Sequence, residues 1–245
     1  MSDMNTKRQA LVTGGNKGIG LAIAKALAEA DFFVWIGARD KHRGEQAVAT
    51  LQKAGLDVGL LELDVALEES VYHAAAELST HISSLDVLVN NAGIAVDMTK
   101  APSEVRMADM KAVYEVNLFG PVRVTQAFLP LLKAANQARI VMMSSGVGSL
   151  TLITDPTSIY STVNLLDYTS SKVALNAVTV SFAKELEPFG IKVNAVEPGH
   201  VRTDLNGNTG VLTPEEGAAI AVKMAMLGPD GPTGGFFGSH GRQPW

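Results

Sequence analysis

A tyrosine and a lysine lie four residues apart in the segment Tyr168-Thr-Ser-Ser-Lys172. Four residues make about one turn of an α-helix, so both side chains would lie on one face of a helix that begins there. The pKa of a tyrosine phenol is about 10, and a neighbouring ammonium favours the ionised form. The pair could therefore move a proton near neutral pH, although the same spacing also arises by chance in helices without a catalytic role.

A run of glycines, Thr13-Gly14-Gly15-Asn16-Lys17-Gly18-Ile19-Gly20, separates an apolar stretch from a segment of helical period. Glycine lets the backbone turn sharply and lets a pyrophosphate approach the N–H groups at the start of the following helix. The spacing G-x-x-x-G-x-G differs from the common G-x-G-x-x-G fingerprint, and a glycine cluster can also form a plain tight turn. Its place between the first predicted strand and the first predicted helix favours a dinucleotide site. The expected cofactor contacts there are Gly14, Asn16, Lys17, Gly18, Ile19 and Gly20.

Short stretches rich in Val, Ile and Leu alternate with longer stretches of helical period. This alternation is typical of βαβ units, and continuously apolar strands indicate a parallel sheet covered by helices on both faces. Strands are expected at 9–13, 32–38, 59–64, 87–90, 139–144, 192–197 and 235–238, and the clearest helices at 19–30, 41–54, 68–82, 110–135 and 168–187. We predict an α/β fold with a doubly wound parallel sheet of about seven strands. With 47% hydrophobic residues, the 245 residues are expected to form one domain.

Three further motifs follow the glycine turn along the chain. They are Asp64-Val65 after the third predicted strand, Asn90-Asn91-Ala92-Gly93 after the fourth, and Pro198-Gly199-His200-Val201-Arg202-Thr203 after the sixth. Singly they have ordinary explanations, since Asp64 could cap the next helix and Asn-Asn-Ala-Gly suits any turn. Together with the glycine turn they resemble the classical short-chain dehydrogenase/reductase family over about residues 8–238. The resemblance implies a single-domain Rossmann-type fold that binds NAD or NADP across the carboxyl ends of its strands.

The resemblance also implies which residues of these motifs contact the cofactor. Asp64 and Val65 would lie near the adenine, and Val201 and Thr203 would contact the nicotinamide carboxamide. The remaining expected contacts are Asn91, Ala92, Gly93, Pro198 and Gly199, together with Tyr168 and Lys172.

Tyr-x-x-x-Lys is the active-site signature of this family, which implies that Tyr168 donates the proton when hydride passes from a nicotinamide to a carbonyl carbon. Lys172 would lower the pKa of the phenol and bind the nicotinamide ribose. Ser145, the second serine after the fifth predicted strand, would orient the carbonyl oxygen, and Ser144 is the alternative if the alignment slips by one residue. Asn117 would hold a water in a proton relay, although an Asn within a helix is more often a surface or kink residue.

The residues after the second predicted strand bear on the choice of dinucleotide. An acidic residue there binds the ribose 2′-OH of NAD, whereas an Arg accommodates the 2′-phosphate of NADP. Arg39 comes first, and Lys17 adds a second positive charge, which favours NADPH over NADH. Two alternatives stay open: Asp40 could turn toward the ribose or cap the next helix, and both cations could be ordinary surface charges.

Composition excludes several classes of protein. A net charge of −5 gives no reason to expect nucleic-acid binding, and the absence of cysteine excludes disulfides and thiolate metal sites. The five His residues have no ligand spacing, so no metal is expected. His200 could titrate near the substrate or be a bystander. The start of the chain has no signal-peptide form and no stretch approaches the roughly 18 apolar residues of a membrane helix, which predicts a cytoplasmic protein.

Two departures from the family pattern concern the substrate. Ser145 and Tyr168 are 23 positions apart, more than the family usually has, so the segment 149–166 is expected to be an insertion beside the active site. This insertion resembles the branch of carbonyl reductases and menthone-type reductases. The short loop 204–212 suggests an open substrate pocket. Residues 1–8 are expected to be flexible, and segments 149–166 and 204–212 to be rich in turns.

The predicted activity is the NADPH-dependent reduction of a small-molecule ketone or aldehyde. A 3-oxoacyl-carrier-protein reductase is the alternative. Its acidic carrier protein would bind to a basic surface, and Arg123, Lys133 and Arg139 are too dispersed to suggest one. A non-catalytic NADP-binding sensor would not need all four reacting residues. Relatives often form dimers or tetramers through helices like those at 110–135 and 168–187, which an insertion can obstruct, so the oligomeric state stays open.

Overall fold

Eight strands form one sheet in the computed structural model, which describes residues 7–245. Their order across the sheet is β3-β2-β1-β4-β5-β6-β7-β8. The strands are β1 Arg8–Thr13, β2 Phe32–Ala38, β3 Val58–Glu62, β4 Val87–Asn90, β5 Arg139–Met143, β6 Lys192–Val196, β7 Phe236–Gly238 and β8 Gly241–Gln243. The first seven are parallel, and β8 is antiparallel to β7. The predicted fold class is thus confirmed, with one short edge strand more than expected.

Helices cover both faces of this sheet. They are α1 Gly18–Glu29, α2 Lys41–Lys53, α3 Glu68–His81, α4 Met107–Tyr114, α5 Gly120–Ala134, α6 Leu150–Thr154, α7 Leu166–Leu186 and α8 Pro214–Ala225. One apolar core joins the sheet to α3, α5 and α7, and the other joins it to α1, α2 and α8. Along β1, Leu11 packs into the first core while Ala10 and Val12 pack into the second, so a continuously apolar strand serves both.

The long helix predicted at 110–135 is interrupted. It begins earlier, at Met107, and a π-helical turn, Glu115–Phe119, separates α4 from α5. The predicted strands 59–64, 139–144 and 192–197 each end one or two residues sooner than expected. Asp64, Ser144 and Glu197 therefore lie just beyond the strands, at the carboxyl edge of the sheet.

Helix α8 is not among the helices predicted from the sequence, although the chain carries a clear helix start there. Thr213 accepts a hydrogen bond from the Glu216 N–H at 3.2 Å, and the Glu216 carboxylate accepts one from the Thr213 N–H at 2.7 Å. Pro214 occupies the first helical position. This reciprocal capping box satisfies N–H groups that a helix start leaves free.

Two of the segments expected to be irregular are partly built into the fold. Residues 150–154 form α6, which Ser149 caps by accepting a hydrogen bond from Leu152 N–H at 3.1 Å. In the loop 204–212, Leu212 pairs with Val201 in a short bridge, so the loop closes on itself. Most of the segment 1–8 lies outside the described residues, but Arg8 begins β1 and Lys7 Nζ lies 3.0 Å from Asp57 Oδ2.

Candidate active site

The adjacent strands β1 and β4 bring two of the predicted motifs together at the carboxyl edge of the sheet. The Thr13 hydroxyl accepts hydrogen bonds from Asn91 N–H and Ala92 N–H, both at 3.0 Å. The Asn91 side-chain amide in turn donates to the Thr13 carbonyl at 2.9 Å. The strand order reverses between these two strands, which is where open α/β sheets bind their ligands.

The glycine turn has a conformation that needs glycine. Gly14 and Gly18 have φ values of +63° and +53°, which side chains rarely tolerate. A Cβ on Gly20 would lie 2.3 Å from the Gly14 carbonyl oxygen and 2.5 Å from Asn91 Nδ2. The turn therefore holds its backbone close to β4 and leads directly into the N-terminus of α1.

The start of α1 fits an anionic group. Its N-cap, Lys17, directs its own side chain to Asp204, and the first-turn residues Gly18, Ile19 and Gly20 carry no charge. Together with the preceding Asn16, they present backbone N–H groups at the positive end of the helix. The residues predicted to contact the pyrophosphate of a dinucleotide are thus suited to bind it. Helix N-termini that follow a glycine-rich turn bind phosphate groups in this way.

Three of the four predicted reacting residues meet at the ends of β5 and α7. Tyr168 lies in the first turn of α7, and the Ser145 side chain is close enough to its hydroxyl to lower its pKa. The Lys172 ammonium lies 5.5 Å from the centre of the Tyr168 ring and donates to the Met143 carbonyl at 2.8 Å. Lys172 is only 4% exposed, and within residues 7–245 the Met143 carbonyl is the one hydrogen-bond acceptor of its ammonium.

The prediction that Lys172 lowers the pKa of Tyr168 is wrong for this structure. Burial raises the pKa of Tyr168 to about 12, against a smaller lowering by the Ser145 hydrogen bond. Burial also lowers the pKa of Lys172 to about 8. Desolvation determines both shifts, and the Lys172 ammonium donates to the Met143 carbonyl. Tyr168 is therefore in its proton-donating form at neutral pH.

Asn117 lies in the π-helical turn and is fully buried. Its side-chain oxygen accepts from Ile94 N–H at 2.8 Å, and its amide nitrogen donates to the Ile94 carbonyl at 2.9 Å and to Ser171 Oγ at 3.2 Å. Both ends of the amide are thus engaged by protein atoms. A Cβ on Gly93 would lie 3.4 Å from Asn117 Oδ1 and 3.7 Å from Lys172 Nζ, so Asn117 adjoins the reacting group. The side chain ties the loop after β4 to α7, which is a structural role that the sequence did not indicate.

The alternative serine, Ser144, faces away from this group. It is 4% exposed, and its hydroxyl has no hydrogen-bond partner within residues 7–245. A Cβ on Gly148 would lie 2.9 Å from Ser144 Oγ, so the hydroxyl points into the packing between β5 and α7. The geometry favours Ser145 as the residue that faces Tyr168.

Three cations surround the end of β2. Arg39 is exposed there, as expected, and Lys17 Nζ lies 2.7 Å from Asp204 Oδ2. Arg43, which the sequence analysis did not assign to the site, lies one turn into α2, and like Lys17 it lowers the pKa of Asp204. Asp40 accepts from Arg43 N–H at 3.0 Å, so its carboxylate caps α2, one of the two alternatives left open for it.

The side chains of three other predicted cofactor residues are engaged within the protein. Asp64 Oδ1 accepts from Ala66 N–H at 3.0 Å and so starts the turn into α3. Val65 packs where a Cβ on Gly120 would lie, and Val201 is 3% exposed. The side chains of Val65 and Val201 are therefore packed in the interior.

The loop after β6 lies against the glycine turn. It runs through Pro198 and Gly199, whose φ is +78°, and it brings the Thr203 methyl within 3.5 Å of an ideal Cβ on Gly18. His200 Nε2 lies 3.4 Å from Thr209 Oγ1 on the exposed side of this loop. Among residues 7–245, no three His, Asp or Glu side chains form a group that could hold a metal ion.

A cavity of about 520 Å³ opens beside the start of α7. It is lined by residues 98–102 on one side and 162–165 on the other, so the segment 149–166 contributes one wall. Its volume is in the range of small-molecule sites. Within the described residues, no helix is both long and apolar enough to cross a bilayer.

Comparisons with known proteins agree with this geometry. The model of the short chain dehydrogenase family matches residues 8–211. The chain is 36% identical to (+)-neomenthol dehydrogenase of Arabidopsis thaliana, with 95% of this chain and 96% of that protein covered, and 32% identical to salutaridine reductase of Papaver somniferum, with 95% and 94% covered. The crystal structure of NADPH-bound carbonyl reductase from chicken fatty liver superimposes with a TM-score of 0.86 at 30% identity, covering 98% of this chain and 99% of that one.

Proposed function

As a member of the short-chain dehydrogenase family, the protein is an oxidoreductase, and we propose that it reduces small-molecule ketones or aldehydes with NADPH. The observation that carries the proposal is the meeting of Tyr168, Ser145 and the buried Lys172 at the end of β5, on the same edge of the sheet as the glycine turn. A nicotinamide cofactor at that edge would supply the hydride. The protein's own part is to bind the carbonyl and to deliver a proton.

Tyr168 and Ser145 act on the carbonyl oxygen. The Ser145 side chain lies close enough to the Tyr168 hydroxyl to lower its pKa, so an oxygen placed between the two hydroxyls would accept from both and be stabilised as negative charge develops on it. Because the pKa of Tyr168 is raised to about 12, the phenol is protonated and can give its proton to the nascent alkoxide. The phenolate then regains a proton from solvent.

Lys172 and Asn117 shape the site around the phenol. The Lys172 ammonium has three N–H donors, and the bond to the Met143 carbonyl uses one of them. The other donors are available for ribose hydroxyls and for the phenolate oxygen after proton transfer. Asn117 fixes the loop after β4 against α7, so we assign it a positioning role in place of a direct hold on water.

Lys17, Arg39 and Arg43 support the choice of NADPH. Three cations near the end of β2 suit the additional negative charge of a 2′-phosphate, and Asp40 is committed to capping α2. The likeness to an NADPH-bound carbonyl reductase supports the same choice.

The 3-oxoacyl-carrier-protein alternative lacks support from the surface. Arg139 is 5% exposed and donates to the Leu227 carbonyl, Arg123 pairs with Glu115, and Lys133 lies over the Phe189 ring. The three cations therefore offer no shared basic face to an acidic carrier.

The test is NADPH oxidation by the purified protein with a panel of ketones, aldehydes, diketones and a 3-oxoacyl thioester. Tyr168→Phe is expected to lower kcat by about 10²-fold or more, because it removes the proton donor and leaves the ring. NADPH affinity, measured by its fluorescence, should stay within about twofold of the parent. Tyr72→Phe on the exposed face of α3 is the matched control. Unchanged turnover by Tyr168→Phe would refute the assigned acid, and NADPH binding without turnover of any carbonyl would support a sensor.

A further inference from the structure

Tyr160 fixes the middle of the segment 149–166 to the sheet. Its hydroxyl donates to Glu197 Oε2 at 2.7 Å. Its ring lies on Gly146, where an ideal Cβ would be 2.1 Å from Tyr160 Cζ and 2.4 Å from the phenol oxygen. The ring therefore fills the space that any side chain at position 146 would need.

Both contacts lie next to the proposed active site along the chain. Gly146 directly follows Ser145, and Glu197 stands between the end of β6 and Pro198, the start of the loop that lies against the glycine turn. Tyr160 thus connects the insertion to the reacting serine on one side and to a cofactor-side loop on the other.

Ser145 lies outside the sheet ladder, so other contacts must fix its position. The last pairing of β5 with β6 joins Met143 to Val196, and Ser144 N–H donates to the Val196 carbonyl at 2.8 Å. After that, Ser145 is extended and a short 3₁₀ turn begins at Gly146. The Tyr160 ring covers the first residue of that turn, and removing the ring would free the turn to shift.

The contact with Glu197 is built to persist. Burial and the neighbouring carboxylate raise the pKa of Tyr160, so the phenol remains a donor over the whole physiological range. A Cβ on Gly238 would lie 2.6 Å from Glu197 Oε1, so the carboxylate is held between Tyr160 and β7. A charge-assisted hydrogen bond between two partly buried groups resists exchange with water.

We propose that Tyr160 is a positioning residue that holds Ser145 in place, through its ring on Gly146 and its hydroxyl on Glu197. The proposal rests on the proposed function, in which Ser145 orients the substrate carbonyl. It gives the insertion a role in the reaction: the segment that forms one wall of the cavity beside α7 also carries the side chain that fixes Ser145 relative to Tyr168.

Three substitutions test this role. Tyr160→Ala should lower kcat by about 10- to 100-fold, since a displacement of about 1 Å in a reacting group can cost that much. Gly146→Ala should have the same effect, because its methyl group and the ring cannot share one space. Tyr160→Phe keeps the ring and loses only the bond to Glu197, so a smaller fall of about 3- to 10-fold is expected.

The double variant Gly146→Ala/Tyr160→Ala separates positioning from general damage. Without the ring the new methyl group has room, so the double variant should be no slower than Tyr160→Ala alone. NADPH affinity should stay within about twofold of the parent in all four variants. The loss of activity would then lie in kcat and not in cofactor binding. Tyr72→Ala is the matched surface control.

Hydrogen exchange supplies a readout that does not need activity. In Tyr160→Ala the amides of residues 145–148 should exchange at least about tenfold faster, while those of β1 should be unchanged. Parent-like kcat in both Tyr160→Ala and Gly146→Ala, additive losses in the double variant, or unchanged exchange at 145–148 would overturn the proposal. A parent that reduces no carbonyl would refute the proposed function, and exchange would still decide whether Tyr160 fixes the turn after Ser145.

Discussion

At the scale of single residues, the site is built at a cost to stability. Lys172 is 4% exposed and its ammonium has the Met143 carbonyl as its partner among the described residues. Burial of a charge with so little compensation disfavours the charged form, which is why its pKa falls to about 8. The same burial holds the ammonium in a fixed position for a ligand. Lys172 therefore lowers the stability of the folded protein while it preorganises the site.

This cost predicts a pH dependence of stability. The pKa of Lys172 is about 8 in the folded protein, against 10.5 for an unperturbed lysine. Between these values the unfolded chain binds more protons, so Lys172 makes the free energy of unfolding rise with pH, and below about pH 8 its full penalty applies. Lys172→Met should therefore be more stable than the parent at pH 7 by about 1–3 kcal/mol, after loss of the bond to Met143.

The measurement is denaturant unfolding of the cofactor-free protein at pH 7 and at steps from pH 8 to 10. The gain should shrink as pH rises through this window. Lys184→Met, at an exposed position of the same helix, should show no such trend. A Lys172→Met variant that is less stable than the parent at pH 7 would contradict the penalty.

At the scale of elements, the sequence predicted the strands and turns whose conformation depends on neighbouring residues. Continuous apolar runs marked the strands because helices cover both faces of the sheet, and the glycine turn was visible because positive φ demands glycine. The start of α8 carried a recognisable capping box that the sequence analysis passed over. The eighth strand is three residues long, too short for a period to show.

Contacts between distant elements could not be predicted in this way. Tyr160 and Glu197 are 37 positions apart, and Lys17 and Asp204 are 187 apart. Nothing in the neighbourhood of either residue indicates its partner. The pKa of Tyr168 was misjudged for the same reason, since it depends on how β5 and α7 bury the phenol.

The pairing of Lys17 with Asp204 predicts an effect on cofactor choice. This ion pair joins the N-terminus of α1 to the loop after β6. In it, the Asp204 carboxylate pairs with Lys17, one of the cations proposed to bind the 2′-phosphate. Asp204→Asn keeps the shape of the side chain and removes the competing charge. NADPH affinity should rise by about two- to fivefold, as suits one exposed charge, and NADH affinity should change less.

Fluorescence titration with NADPH and NADH at low and high salt would measure this. The gain should diminish at high salt, because both groups are exposed. Asp31→Asn, at the opposite edge of the sheet beside Lys7, is the control and should leave both affinities unchanged. An equal rise for NADH and NADPH would show that Asp204 acts on the loop and not on the phosphate.

At the scale of the whole molecule, the far edge of the sheet is joined to the active-site side. Trp245 stacks on Phe236 of β7, with ring centres 5.7 Å apart and planes inclined by 14°. Its carbonyl accepts from Thr151 N–H at 3.1 Å and from the Thr151 hydroxyl at 2.7 Å. The segment 149–166 is thus held at two points, at α6 by Trp245 and further on by Tyr160.

Trp245→Ala tests whether the first of these points acts independently of the second. Loss of the stacked ring should lower the free energy of unfolding by about 1–2 kcal/mol and free the backbone that holds α6. Hydrogen exchange at 150–154 should therefore accelerate, while residues 145–148, which Tyr160 covers, should keep the parent rate. Phe189→Ala, a half-exposed ring on another face, should alter neither region. If residues 145–148 lost protection together with α6, the segment would move as one unit, and the two points of attachment would act together.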